Sequence, residues 1–311
     1  MRRMFSLFIL AVSVAWAAVA HASLVSYYTF NDPADPGYDP SVVRDVAGGH
    51  DAAVHGGVWS ADAGGYTGSP GDYAMDFSSG YALVDGGNFA GNAVMNDAIT
   101  FSFWQKAAYP PGSPVSSSSF YAESPGATGT NRGAQAHVPQ SDKKIYWDTA
   151  GCCGSDTRLT TNASGIIDDN EWHHVAFVKN GAHKEIWVDG TRLAQHDSAT
   201  RDLIPFSRLF IGSNNSGASN FHGFIDDFAV FDHPLGPADI QALANRTITP
   251  DQVAATVPVT LHAQSDGGFT VYLSPTDKLP GDPGDGIPDP LYQTTSGSDI
   301  TTEISVPVGR T

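Results

Sequence analysis

Side chains able to do chemistry crowd the stretch 132–154, where Arg132, His137, Trp147 and Asp148 lead into the adjacent pair Cys152-Cys153. An aromatic plate beside a carboxylate and a guanidinium is the equipment of a sugar site. The ring stacks on the sugar, and the charged groups make charge-assisted hydrogen bonds to its hydroxyls. Adjacent cysteines can pair internally only as a vicinal disulfide, an eight-membered ring that stiffens a turn and offers a flat apolar plate. Gly151 and Gly154 on either side relieve the strain of such a ring. Two free thiols or a bridge to another chain are the alternatives, and export compartments favour bridges. Zinc does not suit the pair, because the two-residue spacer of a zinc knuckle is absent. Each of these residues, taken singly, also has a purely structural reading.

Strands must carry them. The segment 99–106 alternates, with Ile99, Phe101 and Phe103 on one face and Thr100, Ser102 and Trp104 on the other. If the first set is core, Trp104 lies on an outer or concave face and is available to a ligand. Residues 144–147 read as a brief strand and 158–161 as its partner. The stretch 171–190 holds two apolar runs around Asn180-Gly181, and Asp189-Gly190 then turns into a third, so a three-strand meander is expected. Trp172, Phe177 and Trp187 are its anchors, the two tryptophans as core or as ligand contacts. Residues 24–30 form a first strand and 209–212 and 224–231 the closing ones. A helix starts at Pro237 and runs to 243. The Pro-, Gly- and Ser-rich stretch 109–133 is a surface excursion of a length that usually carries function or mobility.

The run Trp-His-His-Val-Ala-Phe-Val from Trp172, Ile-Trp-Val-Asp-Gly at 186–190, LFIGS at 209–213 and GFIDDFAVFDHPLGPADIQAL at 223–243 resemble the laminin-G-like family. These are concanavalin-A-like jelly rolls of secreted proteins, and the resemblance covers about 23–245. It implies an all-β fold: a two-sheet antiparallel jelly-roll sandwich with one short C-terminal helix, here followed by a small β-rich extension. Because this sandwich hosts lectins, adhesins, structural modules and glycosidases, the resemblance names a fold before a function. In a jelly roll the last strand lies beside the first, which brings Asp226 toward 30–32. Similar sandwiches often hold Ca²⁺ there, and the matching positions are Asn31, Asp32 and Asp226. Calcium takes six to eight oxygens, which Asn, Asp and loop carbonyls supply. Alternation places Asp226 with Phe228 and Val230, toward the interior, where a carboxylate must be paired or coordinated. Capping of backbone amides without metal is the other reading. Asn31 stands where similar proteins have Asp, so whether residue 31 or 32 is the ligand stays open.

Catalytic signatures are sparse. Glycosidases of the related jelly-roll kind carry E-x-D-x-x-E, two glutamates on one strand face. This chain has only Glu123, Glu171, Glu185 and Glu303, none so spaced. His173 and His174 alternate to opposite faces and cannot readily share one metal. No Gly-x-Ser-x-Gly, His-Glu-x-x-His or phosphate loop is present. The segment 281–290, GDPGDGIPDP, weakly resembles acidic calcium repeats through Asp282, Asp285 and Asp289, but its prolines favour a stiff turn-rich loop.

With a formal charge of −17, the chain is a poor partner for nucleic acid or anionic membrane. Residues 1–22 have a basic start, an apolar run and Ala20-His21-Ala22 as a small-x-small cleavage site, which reads as a secretory signal cleaved near Ala22. No second long apolar run follows, so no transmembrane segment is expected, and the mature protein would be secreted, extracellular or periplasmic. The expected organisation is a signal peptide at 1–22, a jelly roll at 23–246 and a β-rich extension or partial module at 247–311. The expected function is non-catalytic recognition of extracellular glycans or glycoproteins with Ca²⁺ as cofactor. A structural or adhesive module binding protein and a glycoside hydrolase are the alternatives.

Overall fold

The computed structural model describes residues 24–86, 93–109, 116–124, 132–163, 169–215, 217 and 219–253, together with the backbone of strands at Thr256–Ser265, Phe269–Val271, Tyr292–Thr294 and Ser298–Pro307. The signal-peptide reading at 1–22 and the acidic motif at 281–290 fall outside the described residues.

Residues 22–253 form one compact unit, built as two eight-stranded antiparallel sheets. The first sheet runs, edge to edge, Thr191–His196, His183–Val188, Trp172–Asn180, Ala98–Ala107, Gly223–Phe231, Met75–Asp76 and Val58–Trp59, with Leu24–Tyr28 also paired to Gly223–Phe231. The second runs Arg158–Asn162, Lys144–Thr149, Ala134–His137, Phe120–Glu123, Arg208–Ile211, Tyr81–Asp85, Ala52–His55 and Val42–Val43. First and last strands are neighbours, with Tyr28 opposite Phe228. This is the jelly-roll closure.

Alternation explains the core. Phe101, Phe103, Phe177 and Phe228 from the first sheet and Phe120 and Trp147 from the second meet between the sheets, all fully buried, with ring centroids 4.3–6.2 Å apart in stacked and edge-on pairs. Each such side chain contributes about 1.5–3 kcal/mol by leaving water. The opposite face of the first sheet is not bare. Pro237–Ala244, one short helix, lays Ile240 and Leu243 over Tyr27, Ala176, Trp187 and Phe231. Trp187 thus packs in this second apolar cluster, Phe177 in the main core, and Trp172 is partly exposed.

The central meander forms as the sequence requires, with one adjustment. Asp189 and Gly190 both have positive φ (48° and 72°) between the paired residues Val188 and Thr191, as a tight twisted hairpin needs. In the other hairpin Asn180 pairs with His183, so the turn residues are Gly181-Ala182 and not Asn180-Gly181. At this edge His183 is held between Asp197 (2.6 Å) and Glu185 (3.0 Å). The hydrogen bond to Asp197, then that to Glu185, raises its pKa above 6.5. A histidine whose folded pKa is raised gives stability that is complete below about pH 6.5 and fades as pH climbs through the folded value. The melting temperature of His183→Gln should therefore lie below wild type at acidic pH and converge on it at pH 8. Parallel curves across that range would show that His183 makes no such contribution.

The remaining strands belong to a second unit. Thr256 faces Pro307, Ser265 faces Ser298 and Phe269 faces Thr294. The first two pairings belong to one two-stranded antiparallel sheet and the third to another.

Candidate functional site

Cross-strand pairing aligns one residue from each of seven strands over the outer face of the second sheet: Arg158, Asp148, Gln135, Tyr121, Phe210, Leu83 and Ala53. At one end Asp148 is fully buried and accepts two hydrogen bonds from Arg158, from Nε at 2.6 Å and from Nη2 at 2.7 Å. Arg132 Nη1 approaches the same carboxylate at 3.4 Å. The two guanidiniums lie over aromatic rings, Arg158 over Tyr146 at 4.4 Å and Arg132 over Tyr121 at 5.8 Å. Carboxylate, guanidiniums and rings are therefore fixed before any ligand arrives.

The middle of the row is polar. Gln135 Nε2 donates to Ser118 Oγ at 2.6 Å, while its Oε1 is buried and has no hydrogen-bond partner among the described residues. A buried acceptor without a partner costs about 1–3 kcal/mol. Burial, and next the Glu123 carboxylate, push the Tyr121 hydroxyl up to about 12, so it stays a neutral donor. Glu123 accepts from Asn215 Nδ2 at 2.8 Å and meets Arg208 Nη1 at 3.5 Å; Arg208 Nε also pairs with Asp85 at 3.3 Å. His137 turns Nδ1 to the Ser117 carbonyl and its ring toward the edge of Tyr146. Burial lowers its pKa and keeps the imidazole neutral.

Of the residues singled out in sequence, Arg132, His137 and Asp148 gather on this face, and Trp147 does not. Neighbours on a strand face opposite ways, so with Asp148 outward Trp147 points into the core. There it is fully buried against Phe101, Phe120 and Phe177, with the Lys184 amine 4.6 Å from its ring. Trp147 is a core residue and not a sugar plate. The Cys152-Cys153 turn sits at the end of the same face: Gly151 N–H donates to the Arg132 carbonyl at 2.9 Å. The two sulfurs adjoin, Cys152 half-buried and Cys153 exposed with φ 77°. Trp104 lies elsewhere, on the outer face of the first sheet, where it is 6% exposed under the ring of Tyr66.

Asp226 lies opposite Trp104, on that same outer face. The expectation that it shares a face with Phe228 and Val230 fails because Asp227, at φ 48°, forms a bulge that sets two residues against one and shifts the alternation. Asp226 is fully buried. Its Oδ2 accepts from Tyr66 N–H at 3.0 Å, its Oδ1 from Asp227 N–H at 2.8 Å, and it forms no ion pair among the described residues. Burial, with Asp227 next, drives its carboxyl well above the usual range; burial also lifts Asp227 to about 6. Asn31 Oδ1 accepts from Tyr73 N–H at 2.7 Å, so Asn31 and Asp226 grip the two ends of one loop, 66–73. Asp32 Oδ1 is directed to Arg44 N–H at 3.0 Å. Among the described residues no three His, Cys, Asp or Glu side chains converge as a ready-made metal cage. Asn31, Asp32 and Asp226 offer oxygen donors alone, the kind a hard cation takes, and Asp226 has no counter-charge among the described residues.

Tyr121, Glu123, Gln135, Arg158, Arg208 and Phe210 escape a reading of sequence, because only register brings them beside Asp148. Alternation within 120–123 and 134–137 was the available signal.

No curated protein matches the sequence. The fold is similar to Trypanosoma rangeli sialidase solved with the inhibitor DANA, at 17% identity and TM-score 0.51, over 74% of this chain and 34% of that one. It is also similar to the receptor-binding domain of botulinum neurotoxin C/D mosaic serotype, at 14% identity and TM-score 0.51, over 72% of this chain and 51% of that one. The binding domain of botulinum neurotoxin serotype G gives 12% and 0.50, over 72% and 51%. This chain thus spans about a third to a half of the length of these structures, and at such identities the likeness is one of fold. A family model described as concanavalin A-like lectin/glucanases superfamily matches residues 78–241, more than half of the chain. By that match, and by its two-sheet jelly roll, this chain belongs to the concanavalin A-like lectin/glucanase superfamily.

Proposed function

We propose that this chain is an exported, non-catalytic glycan-binding module that recognises sugars on the outer face of the second sheet. The observation that carries the reading is the Arg158–Asp148–Gln135–Tyr121 row, in which buried charge pairs and an unfilled amide oxygen stand between aromatic rings. Sugar recognition needs acceptors and donors held rigid beside apolar rings, and rigidity limits the ordering cost of binding. The carboxylates on the face are engaged, Asp148 by Arg158 and Arg132, Glu123 by Asn215 and Arg208, and Asp85 by Arg208, which suits them to accept and orient. A vicinal disulfide at Cys152-Cys153 would stiffen the end of the face. A glycan array probed with the secreted protein tests the reading, and binding to no immobilised glycan would contradict it.

Calcium completes the proposal. Asn31 and Asp226 would hold the ion, with Asp32 through the oxygen not bonded to Arg44, at the junction of the first and last strands. When bound, Ca²⁺ would supply the counter-charge that Asp226 lacks and clamp loop 66–73. A ligand of the folded state alone raises the melting midpoint by mass action. EDTA should therefore lower the midpoint reversibly by several degrees, and Asp226→Asn should abolish that response. An EDTA-insensitive melt would remove the metal from the account.

A further inference from the structure

The ring of Tyr66 stacks on that of Trp104, with centroids 4.6 Å apart and planes 17° from parallel. The guanidinium of Arg246 lies over both, 4.8 Å from the Trp104 centroid and 5.2 Å from that of Tyr66. Beneath them Ser102, His174 and Asp227 line a cavity the size of about one water molecule, which Pro250 helps to close. His174 is fully buried, bonds Ser102 through Nε2 at 2.9 Å and leaves Nδ1 without a partner among the described residues.

The backbone at Arg246 makes its side chain informative. Thr247 N–H donates to the Ala242 carbonyl and Arg246 N–H to that of Leu243, both at 3.0 Å. That pair of bonds is the helix stop whose left-handed position ordinarily falls to glycine. Arg246 occupies it at φ 60°, a conformation that costs a side-chain-bearing residue free energy and costs glycine little. An arginine at such a place must recover that cost through its side chain, and the aromatic pair is what the side chain reaches. The segment beyond it is also ordered: Thr249 and Gln252 close a reciprocal capping box, Pro250 is buried, and Ile248 and Val253 pack on the cluster under the helix.

We infer that Tyr66 and Trp104 form a guanidinium-binding site whose resident ligand is the chain's own Arg246, and that this contact straps 246–253 across the outer face of the first sheet. Aromatic faces attract cations through their quadrupole, and a planar guanidinium stacks on them better than an ammonium does. The compact unit that holds the sandwich accordingly runs through Val253.

The test uses the full chain and the variants Arg246→Gly and Arg246→Lys. Arg246→Gly removes the strap while easing the backbone, and it should nonetheless melt roughly 2–4 °C below wild type. Millimolar methylguanidinium should restore its midpoint, methylammonium should not, and wild type should respond to neither. Arg246→Lys should fall between the two. A glycine variant as stable as wild type would overturn the inference. So would a loss that methylguanidinium fails to repair, since that would mark simple loss of packing.

Discussion

Asp148→Ala is expected to lose glycan binding by at least tenfold and to cost about 3 kcal/mol of stability. The carboxylate is wholly buried and satisfies two guanidiniums, Arg158 through two short bonds and Arg132 through a longer one. Truncating one partner of such a group strands the others, at about 3–5 kcal/mol for a fully buried pair. The lower figure applies because the Arg132 and Arg158 side chains keep 13% and 23% of their exposure. Binding suffers for a second reason: Asp148 helps to hold both arginines in their poses over Tyr121 and Tyr146. Asp148→Asn keeps the shape and loses the charge, so its deficit in urea melts should be smaller. Equal affinity in wild type and the alanine variant, measured by titration calorimetry, would separate this cluster from the binding face.

Lys179→Met is expected to be the most destabilising of the substitutions considered, by about 3–5 kcal/mol in denaturant melts. The Lys179 side chain has no exposed surface, and its amine lies 2.6 Å from both oxygens of Asp97 and from the Gly181 carbonyl. Asp97 also accepts from Leu203 N–H at 2.7 Å and holds a left-handed backbone at φ 48°. One ammonium thus ties together the start of strand Ala98–Ala107, the first meander turn and the segment before Arg208–Ile211. Methionine matches the length of the side chain and leaves a largely buried carboxylate without its cation. Adding Asp97→Asn should recover part of the loss. A double variant no more stable than Lys179→Met alone would mean that the charge pair is not what the single change destroys.

The two sheets were legible in the sequence where alternation is unbroken. Ile99, Phe101 and Phe103 mark the core side of their strand, and Asp189-Gly190 marks its turn, because period and turn chemistry are local properties. Local logic failed at Asp226, where the bulge at Asp227 inverts the facing of everything before it. It failed again at Trp147, which adjoins Asp148 in sequence but stands on the other side of the sheet. The proposed row was half visible: Arg132, His137 and Asp148 lie close enough in the chain to be seen as a cluster. Tyr121, Gln135, Phe210 and Arg208 join them only through strand order and register, which are decided by long-range pairing. Arg246 was invisible for a related reason, since a surface arginine after a helix is unremarkable until its φ and its aromatic partners are known.

Gln135 offers the most direct test of the central claim. Its side chain carries no charge and pairs with no ion, and its Oε1, like the Tyr121 hydroxyl in the same row, is buried without a partner among the described residues. Calorimetric titration of the best array glycan, in calcium, into wild type and Gln135→Ala would decide the matter. The account predicts at least a tenfold loss of affinity in the variant, with a melting midpoint only slightly lowered by the missing bond to Ser118. Unchanged affinity in a well-folded Gln135→Ala would contradict it and place sugar recognition away from the outer face of the second sheet.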